Sequence, residues 1–167
     1  MGTRTTLLVC DGARVTFGSH ATPGKVFFVP QQARDLDFDG LGIVYIIAHE
    51  WGHQVQFQRL RMQDAFTVFS QQKEFQADCL AGYFIGASLP YAVNTERRLT
   101  SFATAIGDDR IFHDARLSGP LGNVIDQYTK PGAHGNGQGR AAFLQTGYRD
   151  GRQRGIVSCA VITPNLR

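Results

Sequence analysis

Hydrophobic and polar residues alternate in short runs near the N-terminus and at helical spacing farther along the chain. Three short runs rich in β-branched or aromatic residues, bounded by glycine and proline, predict strands or a hairpin at 6–10, 13–17 and 25–29. We therefore expect a strand-rich region over residues 1–30, followed by helices.

The first two predicted helices cover residues 41–59 and 70–89. Asp39 and Ser70 are suited to cap their N-termini, because a short polar side chain can accept hydrogen bonds from the first free backbone N–H groups. Pro90 closely follows the end of the second helix.

A third helix is predicted from residue 94 or 95 to about 107, and a fourth over 139–149; residues 156–162 could add a terminal strand. Four apolar residues of the third helix recur at helical spacing and are expected in the core: Leu99, Phe102, Ala103 and Ile106. The 167 residues predict one α+β domain, dominated by helices, with a helical core over 39–155.

The first long helix carries His49, Glu50 and His53 in the pattern His-Glu-x-x-His. Positions i and i+4 share a helix face, so both imidazoles can reach one metal ion, with Glu50 beside them. Catalytic zinc takes three protein ligands and a water, whose proton a nearby carboxylate can accept and pass on. The pattern predicts one zinc ion with Glu50 as general base; the alternative is a buried amphipathic helix that happens to carry two histidines.

A third ligand is needed, and the chain has only three glutamates and five histidines. Glu74 and Asp78 stand at i and i+4 in the second helix. If the two helices form an antiparallel hairpin, Glu74 can be the third zinc ligand, and Asp78 can accept a hydrogen bond from a ligating histidine. The alternative is a solvated helix face, although the residues around Asp78 are otherwise apolar.

A histidine farther along the first helix could have been the third ligand instead. That arrangement, His-Glu-x-x-His-x-x-Gly-x-x-His, needs glycine at 56 and histidine at 59, where the chain has Gln56 and Arg59. The metzincin pattern is therefore excluded, and a glutamate ligand, as in gluzincins, is the consistent choice.

Two segments resemble the bacterial neutral zinc metallopeptidases. Residues 48–56 match the family pattern Ala-His-Glu-x-Gly-His-x-Val-Gln, and residues 74–82 match Glu-Leu-Gln-Ala-Asp-Cys-x-Ala-Gly with one substitution. The resemblance continues at 105–110 and in a His-Gly motif followed by a helix, so it covers most of residues 25–155. The residues of that motif are His134, Gly135, Arg140, Phe143, Gly147 and Gly151. The resemblance implies a peptidase acting on peptides or proteins, with Glu74 as a zinc ligand.

His134 matches the family's His-Gly position and lies in a glycine-rich segment, 131–139, just before a predicted helix. It is our candidate to stabilise the oxyanion that forms when water attacks an amide; the alternative is an exposed loop histidine. Tyr45, Tyr83 and Tyr128 are weaker candidates, because aromatic residues on helices usually belong to the core. His20 and His113 are expected at the surface.

The chain departs from the family at 27–30, where Phe-Phe-Val-Pro replaces Phe-Tyr-Cys-Pro, and segment 112–132 matches only loosely. Cys10 and Cys159 lie near the two ends and could form a disulfide, whereas Cys79 is expected to be a packed thiol. Cys79 follows Asp78 directly, which turns it away from the carboxylate face and disfavours it as a zinc ligand.

The net charge of +3 comes mostly from scattered arginines and does not predict nucleic-acid binding. The apolar run at 7–9 is too short for a signal peptide or a membrane helix. Family members commonly begin with an export or anchoring segment, so the resemblance implies an extracytoplasmic or membrane-associated location for a full-length protein.

The sequence therefore predicts a zinc metallopeptidase. Two alternatives keep the same metal ligands: a zinc-stabilised binding domain without activity, and a zinc amidase acting on a non-peptide or cell-wall amide. Glu50 argues against the binding domain, because a purely structural zinc site has no use for a general base.

Overall fold

The structure, a computed structural model, describes residues 6–9, 19–59, 71–90, 92–107, 135–153 and 159. In this part of the chain a small three-stranded sheet precedes five helices. The fold is a mainly helical α+β arrangement, as predicted. No helix within these ranges is both long enough and apolar enough to span a membrane.

The strands are β1 (Thr6–Val9), β2 (His20–Thr22) and β3 (Lys25–Phe28). β3 is central, with β1 parallel on one side and β2 antiparallel on the other. The strands predicted at 6–10 and 25–29 are confirmed, whereas 13–17 lies outside the described residues. The sequence did not predict β2, because His-Ala-Thr is not the aromatic or β-branched run by which strands are recognised.

The helices are α1 (Pro30–Asp35), α2 (Gly40–Arg59), α3 (Gln71–Ser88), α4 (Thr95–Ala105) and α5 (Gly137–Gln153). Four of them correspond to the predicted helices, and α5 extends beyond 139–149 at both ends. The short helix α1 was not predicted, because six residues are too few to show a periodic pattern. It begins at Pro30, where the missing N–H has no helical partner to lose.

Asp39 caps α2 as predicted. Its carboxylate accepts hydrogen bonds from the backbone N–H of Leu41 at 2.9 Å and of Gly42 at 3.2 Å. It also pairs with Arg98 of α4. The cap thus satisfies the start of α2 and connects it to α4; the predicted cap Ser70 lies outside the described residues.

The core forms where α2 packs against α3 and α4, and α5 packs against the same two helices. Its most deeply buried members include Tyr45 of α2, Ile85 of α3, Leu99 and Ala103 of α4, and Leu144 of α5. The predicted core residues of α4 are therefore inside, with Phe102 partly buried against the ring of Phe38.

Helices α3 and α5 meet backbone to backbone. A Cβ atom at Gly147 of α5 would lie 1.8 Å from the carbonyl oxygen of Cys79 in α3, a distance at which no side chain fits. Glycine at this position permits the close approach. It also brings Arg140, two turns earlier on α5, against Asp78 of α3.

Candidate metal centre

Gly52 lies inside the His-Glu-x-x-His segment and allows α2 to pack closely on α3. A Cβ atom there would lie 2.9 Å from the carbonyl oxygen of Ala77. His49 contacts Asp78, while His53, one turn later, contacts Glu74, one turn earlier on the other helix. The two helices therefore run antiparallel across the site.

The three predicted zinc ligands converge between α2 and α3. His49 Nε2 lies 3.2 Å from His53 Nε2 and 3.2 Å from Glu74 Oε2, and His53 Nε2 lies 3.5 Å from Glu74 Oε1. One ligand atom from each residue lies within 4.8 Å of the other two. Zinc accepts imidazole nitrogen and carboxylate oxygen, so this group could hold a metal ion.

Each histidine uses its Nδ1 atom for a hydrogen bond away from the cluster. His49 Nδ1 lies 2.8 Å from Asp78 Oδ1, and His53 Nδ1 lies 2.8 Å from Gln56 Oε1. A carboxylate or amide oxygen only accepts, so Nδ1 carries the hydrogen in both neutral rings. Both Nε2 atoms then present a lone pair to the same point, as shared ligation of one ion requires.

Asp78 lies at the centre of a buried polar network. It is 0% exposed and accepts hydrogen bonds from Arg140 Nε at 3.0 Å, Arg140 Nη2 at 3.1 Å and the Tyr45 hydroxyl at 2.7 Å. Burial alone would raise the pKa of Asp78, but the charges of Arg140 and His49 outweigh burial and hold that pKa below its usual range. Asp78 is therefore ionised and fixed beside His49.

Arg140 and Tyr45 are the two network members whose contact with Asp78 was not predicted: Arg140 was named only as part of the family motif, and Tyr45 only as a weaker oxyanion-stabilising candidate. Arg140 is buried, and its Nη1 atom also lies 4.0 Å from Glu74 Oε2. A signal was present in α5, because Arg140 shares one helix face with Leu144, Gly147 and Gly151. An arginine on the small, apolar face of a helix indicates a buried partner of opposite charge.

The carboxylates of Asp78 and Glu74 also oppose the effect of burial on the pKa of the two histidines. Burial by itself lowers the pKa of His49, yet Asp78 and Glu74 together outweigh burial and raise the pKa of His49 to about 10 in the metal-free protein. Burial also lowers the pKa of His53, and Glu74 again outweighs it, so that pKa is raised. A divalent cation would substitute for these protons among the same carboxylates.

Glu50 follows His49 on α2 and is buried, with 7% of its surface exposed. Burial raises its pKa; the charges of His49, His53 and His20 act in the opposite direction, and Glu74 adds to the rise. A carboxyl with a raised pKa beside a metal centre is suited to accept and return protons near neutrality.

His20 was predicted at the surface and is partly exposed there. It is half-buried on β2, and its ring stacks on Phe27 with 4.6 Å between ring centroids. Its charge lowers the pKa of Glu50 slightly. The sequence pattern could not reveal this position, because β2 itself was not predicted.

The cysteine prediction is wrong. Cys79 is not a free thiol, because it forms a disulfide with Cys159, so the expected bond between Cys10 and Cys159 does not exist. Cys79 does point away from the carboxylate face of α3, into an apolar cluster with Leu80 and Val55. Cys159 is helical, which contradicts the strand predicted over 156–162 at that residue.

Three other predicted features fall outside the described residues. These are His134, the candidate oxyanion donor, Tyr128, a weaker candidate for that role, and His113, expected at the surface. The glycine that follows His134 is described: Gly135 has a positive φ of 83° and is buried against Phe75.

A buried pair of antiparallel helices that directs two histidines and a glutamate to one point defines a candidate helical metal centre. Comparison with known proteins gives the family: residues 26–160 match the family described as "Putative neutral zinc metallopeptidase". The chain belongs to this family. No solved structure matches it.

Two curated relatives are similar to the chain. Both are named "Uncharacterized protein YpfJ", one from Escherichia coli strain K12 and one from E. coli O6:H1 strain CFT073. Each is 32% identical over 123 residues, a match that covers 64% of this chain and 39% of the relative. The chain thus corresponds to well under half the length of these relatives.

Proposed function

We propose that the chain is a zinc-dependent peptidase in which His49, His53 and Glu74 bind one zinc ion. The observation that carries the proposal is that both histidines direct Nε2 toward Glu74 while each Nδ1 is held by an acceptor. A core without a metal would not require both His49 and His53 to carry their hydrogen on Nδ1. The donor set of two nitrogens and one carboxylate is that of a catalytic zinc site with a position left for water.

Bound zinc would lower the pKa of a coordinated water and polarise the carbonyl of a scissile amide. In our proposal Glu50 accepts the proton of the attacking water and returns it to the leaving amine. Its burial supports this role, because a desolvated carboxyl has a pKa closer to neutrality than an exposed one.

Asp78 is proposed to orient His49 and to increase the electron density on its ring. Arg140 and Tyr45 hold Asp78 in turn, so the ring is positioned by a buried network and not by one contact. The role of His134 in stabilising the oxyanion is still a prediction, and so is the absence of nucleic-acid partners.

The test is hydrolysis of an unfolded protein by the zinc-loaded chain, beside Glu50→Gln adjusted to the same zinc content. We expect the variant to lose at least about 100-fold in kcat/KM, the lower range for a positioned general base, while keeping its zinc. Glu96→Gln is the matched control: the same change on α4, where Glu96 accepts hydrogen bonds from Gln145 and Arg149, should leave activity unchanged.

Two outcomes would contradict the proposal. If the wild type and Glu50→Gln hold zinc and are equally inert toward peptides, the non-catalytic binding domain or the amidase of non-peptide substrates takes its place. If both cleave at equal rates, Glu50 is not the base.

A further inference from the structure

A continuous series of buried and partly buried hydrogen bonds runs from His53 to the Cys79–Cys159 disulfide. Gln56 accepts from His53 Nδ1 at 2.8 Å and donates through Nε2 to the carbonyl of Lys73 at 2.8 Å and to Gln76 Oε1 at 3.0 Å. Gln76 then donates through its own Nε2 to the carbonyl of Cys159 at 3.1 Å. Three of these four hydrogen bonds, all except the one to Lys73, thus connect the candidate metal ligand His53 to Cys159, which lies 83 positions after Gln76.

Two backbone carbonyls fix the direction of this series. A carbonyl can only accept, so the Cys159 carbonyl requires Gln76 to point its NH₂ group outward and its oxygen toward Gln56. The Lys73 carbonyl and the Gln76 oxygen together take both hydrogens of the Gln56 NH₂ group. Only the Gln56 oxygen then remains for His53, which forces the hydrogen of that ring onto Nδ1 and leaves Nε2 for a metal.

The disulfide keeps the Cys159 carbonyl in place. Cys79 lies three residues after Gln76, on the adjacent turn of α3. The disulfide to Cys159 therefore holds the Cys159 carbonyl beside the Gln76 side chain. Cys79, Gln56 and Cys159 are almost fully buried, at 0%, 2% and 1% exposure. Water therefore cannot easily replace a partner that leaves, and an unpaired buried amide would rearrange.

We propose that the Cys79–Cys159 disulfide, acting through Gln76 and Gln56, fixes the His53 ring for metal binding, so that the centre holds zinc tightly only while the two cysteines are joined. The inference rests on the proposed zinc site. Gln56 and Gln76 are positioning residues: they touch no ion but set the tautomer and orientation of a ligand. Losing such a partner typically weakens metal affinity about 10- to 100-fold.

The first test compares two substitutions of Gln56 by zinc competition with a chromophoric chelator. Gln56→Met removes the acceptor of His53 Nδ1 with little change in volume, and zinc should bind about 10- to 100-fold more weakly. Gln56→Glu keeps an acceptor for Nδ1 but places a carboxyl oxygen against the Lys73 carbonyl and Gln76 Oε1, so it should lower thermal stability yet keep most zinc affinity.

A merely structural role predicts the opposite order, with the buried carboxyl of Gln56→Glu more damaging to zinc affinity than Gln56→Met. Gln145→Met is the matched control, since the Gln145 amide donates to Glu96 on α4; its zinc affinity should equal that of the wild type. Equal affinities of Gln56→Met and the wild type would overturn the inference.

The second test removes the disulfide in the double variant Cys79→Ala/Cys159→Ala. Zinc affinity should fall about tenfold or more, and the fall should disappear when Gln56→Met is already present, because both changes break the same series. Additive losses would mean that the disulfide acts by another route. This result would overturn the proposal while leaving the zinc site intact.

Reduction of the wild type gives the same information if the double variant does not fold. A trialkylphosphine breaks the S–S bond and yields two thiols, while the phosphine is oxidised to its oxide with an oxygen atom from water. Zinc affinity measured afterwards should fall as in the variant; an unchanged affinity with both thiols titrated would contradict the proposal. A wild type that binds no zinc at all would instead overturn the proposed metal centre, and the inference with it.

Discussion

Asp78 Oδ1 and His49 Nδ1 meet at 2.8 Å in the interior of the protein. The carboxylate is ionised because Arg140 donates a hydrogen bond to each of its two oxygens. The His49 ring is oriented because the same carboxylate accepts its Nδ1 hydrogen. One pair of residues thus connects the charge balance of the core to the geometry of the candidate metal centre.

Asp78→Asn should destabilise the protein strongly. The amide has no charge to balance Arg140, and breaking a buried ion pair from one side costs about 3–5 kcal/mol in the free energy of unfolding. Urea denaturation of the zinc-loaded protein measures the loss. In Glu96→Gln, the same change at a partly exposed ion pair with Arg149 should cost less than about 1 kcal/mol. If the two variants lose similar amounts of unfolding free energy, the buried ion pair of Asp78 contributes no more to stability than the surface pair of Glu96.

Arg140→Lys should weaken zinc binding although it keeps the positive charge. The guanidinium contacts both oxygens of Asp78 through Nε and Nη2, and a single ammonium group cannot reproduce these two directed bonds. Asp78 would then hold His49 less firmly, and zinc affinity should fall about tenfold.

Competition with a chelator measures this affinity, with Arg149→Lys as the control. Arg149 is exposed and pairs with Glu96 on the surface, so its replacement should leave zinc binding unchanged. Equal zinc affinities of Arg140→Lys and wild type would show that charge alone suffices at position 140.

Gly147→Ala should separate α3 from α5. The added Cβ would meet the Cys79 carbonyl oxygen at 1.8 Å, and overpacking of this kind costs about 1–3 kcal/mol or more. Because Arg140 belongs to α5, the shift should also displace it from Asp78 and lower zinc affinity. Gly40→Ala is the matched control, since nothing lies within 4 Å of its added Cβ. Thermal unfolding of both variants, with and without zinc, tests the prediction; a Gly147→Ala protein as stable as the control would contradict it.

The sequence predicted the helices and the chemistry on α2 and α3 because both depend on spacing within one element. His49 and His53, or Glu74 and Asp78, share a face whenever their segment is helical, and hydrophobic periodicity identifies such segments. The grouping of these residues then follows from packing two helices side by side. The close contact at Gly52 is part of the same segment.

The sequence did not predict contacts between elements that are distant along the chain. Arg140 reaches Asp78 across 62 positions, and Cys159 reaches Cys79 across 80. No periodic pattern specifies such pairs, so helix geometry showed that Cys79 points away from the carboxylates without showing what it meets. The partial burial of His20 was not predicted for the same reason, since it depends on strand pairing with β3.

Removal of the metal should lower stability, because zinc binds the folded chain and brings together groups that repel or must be protonated without it. A ligand at 100 times its Kd stabilises the folded state by about 2.7 kcal/mol. Treatment with a chelator should therefore lower the melting temperature, and added zinc should restore it. Magnesium should not, since it prefers six oxygen ligands to this set of two nitrogens and one carboxylate. In the double variant His53→Ala/Glu74→Gln the zinc-dependent rise should vanish. If the rise persists there, the stabilising ion lies elsewhere in the chain, and the assignment of these ligands is wrong.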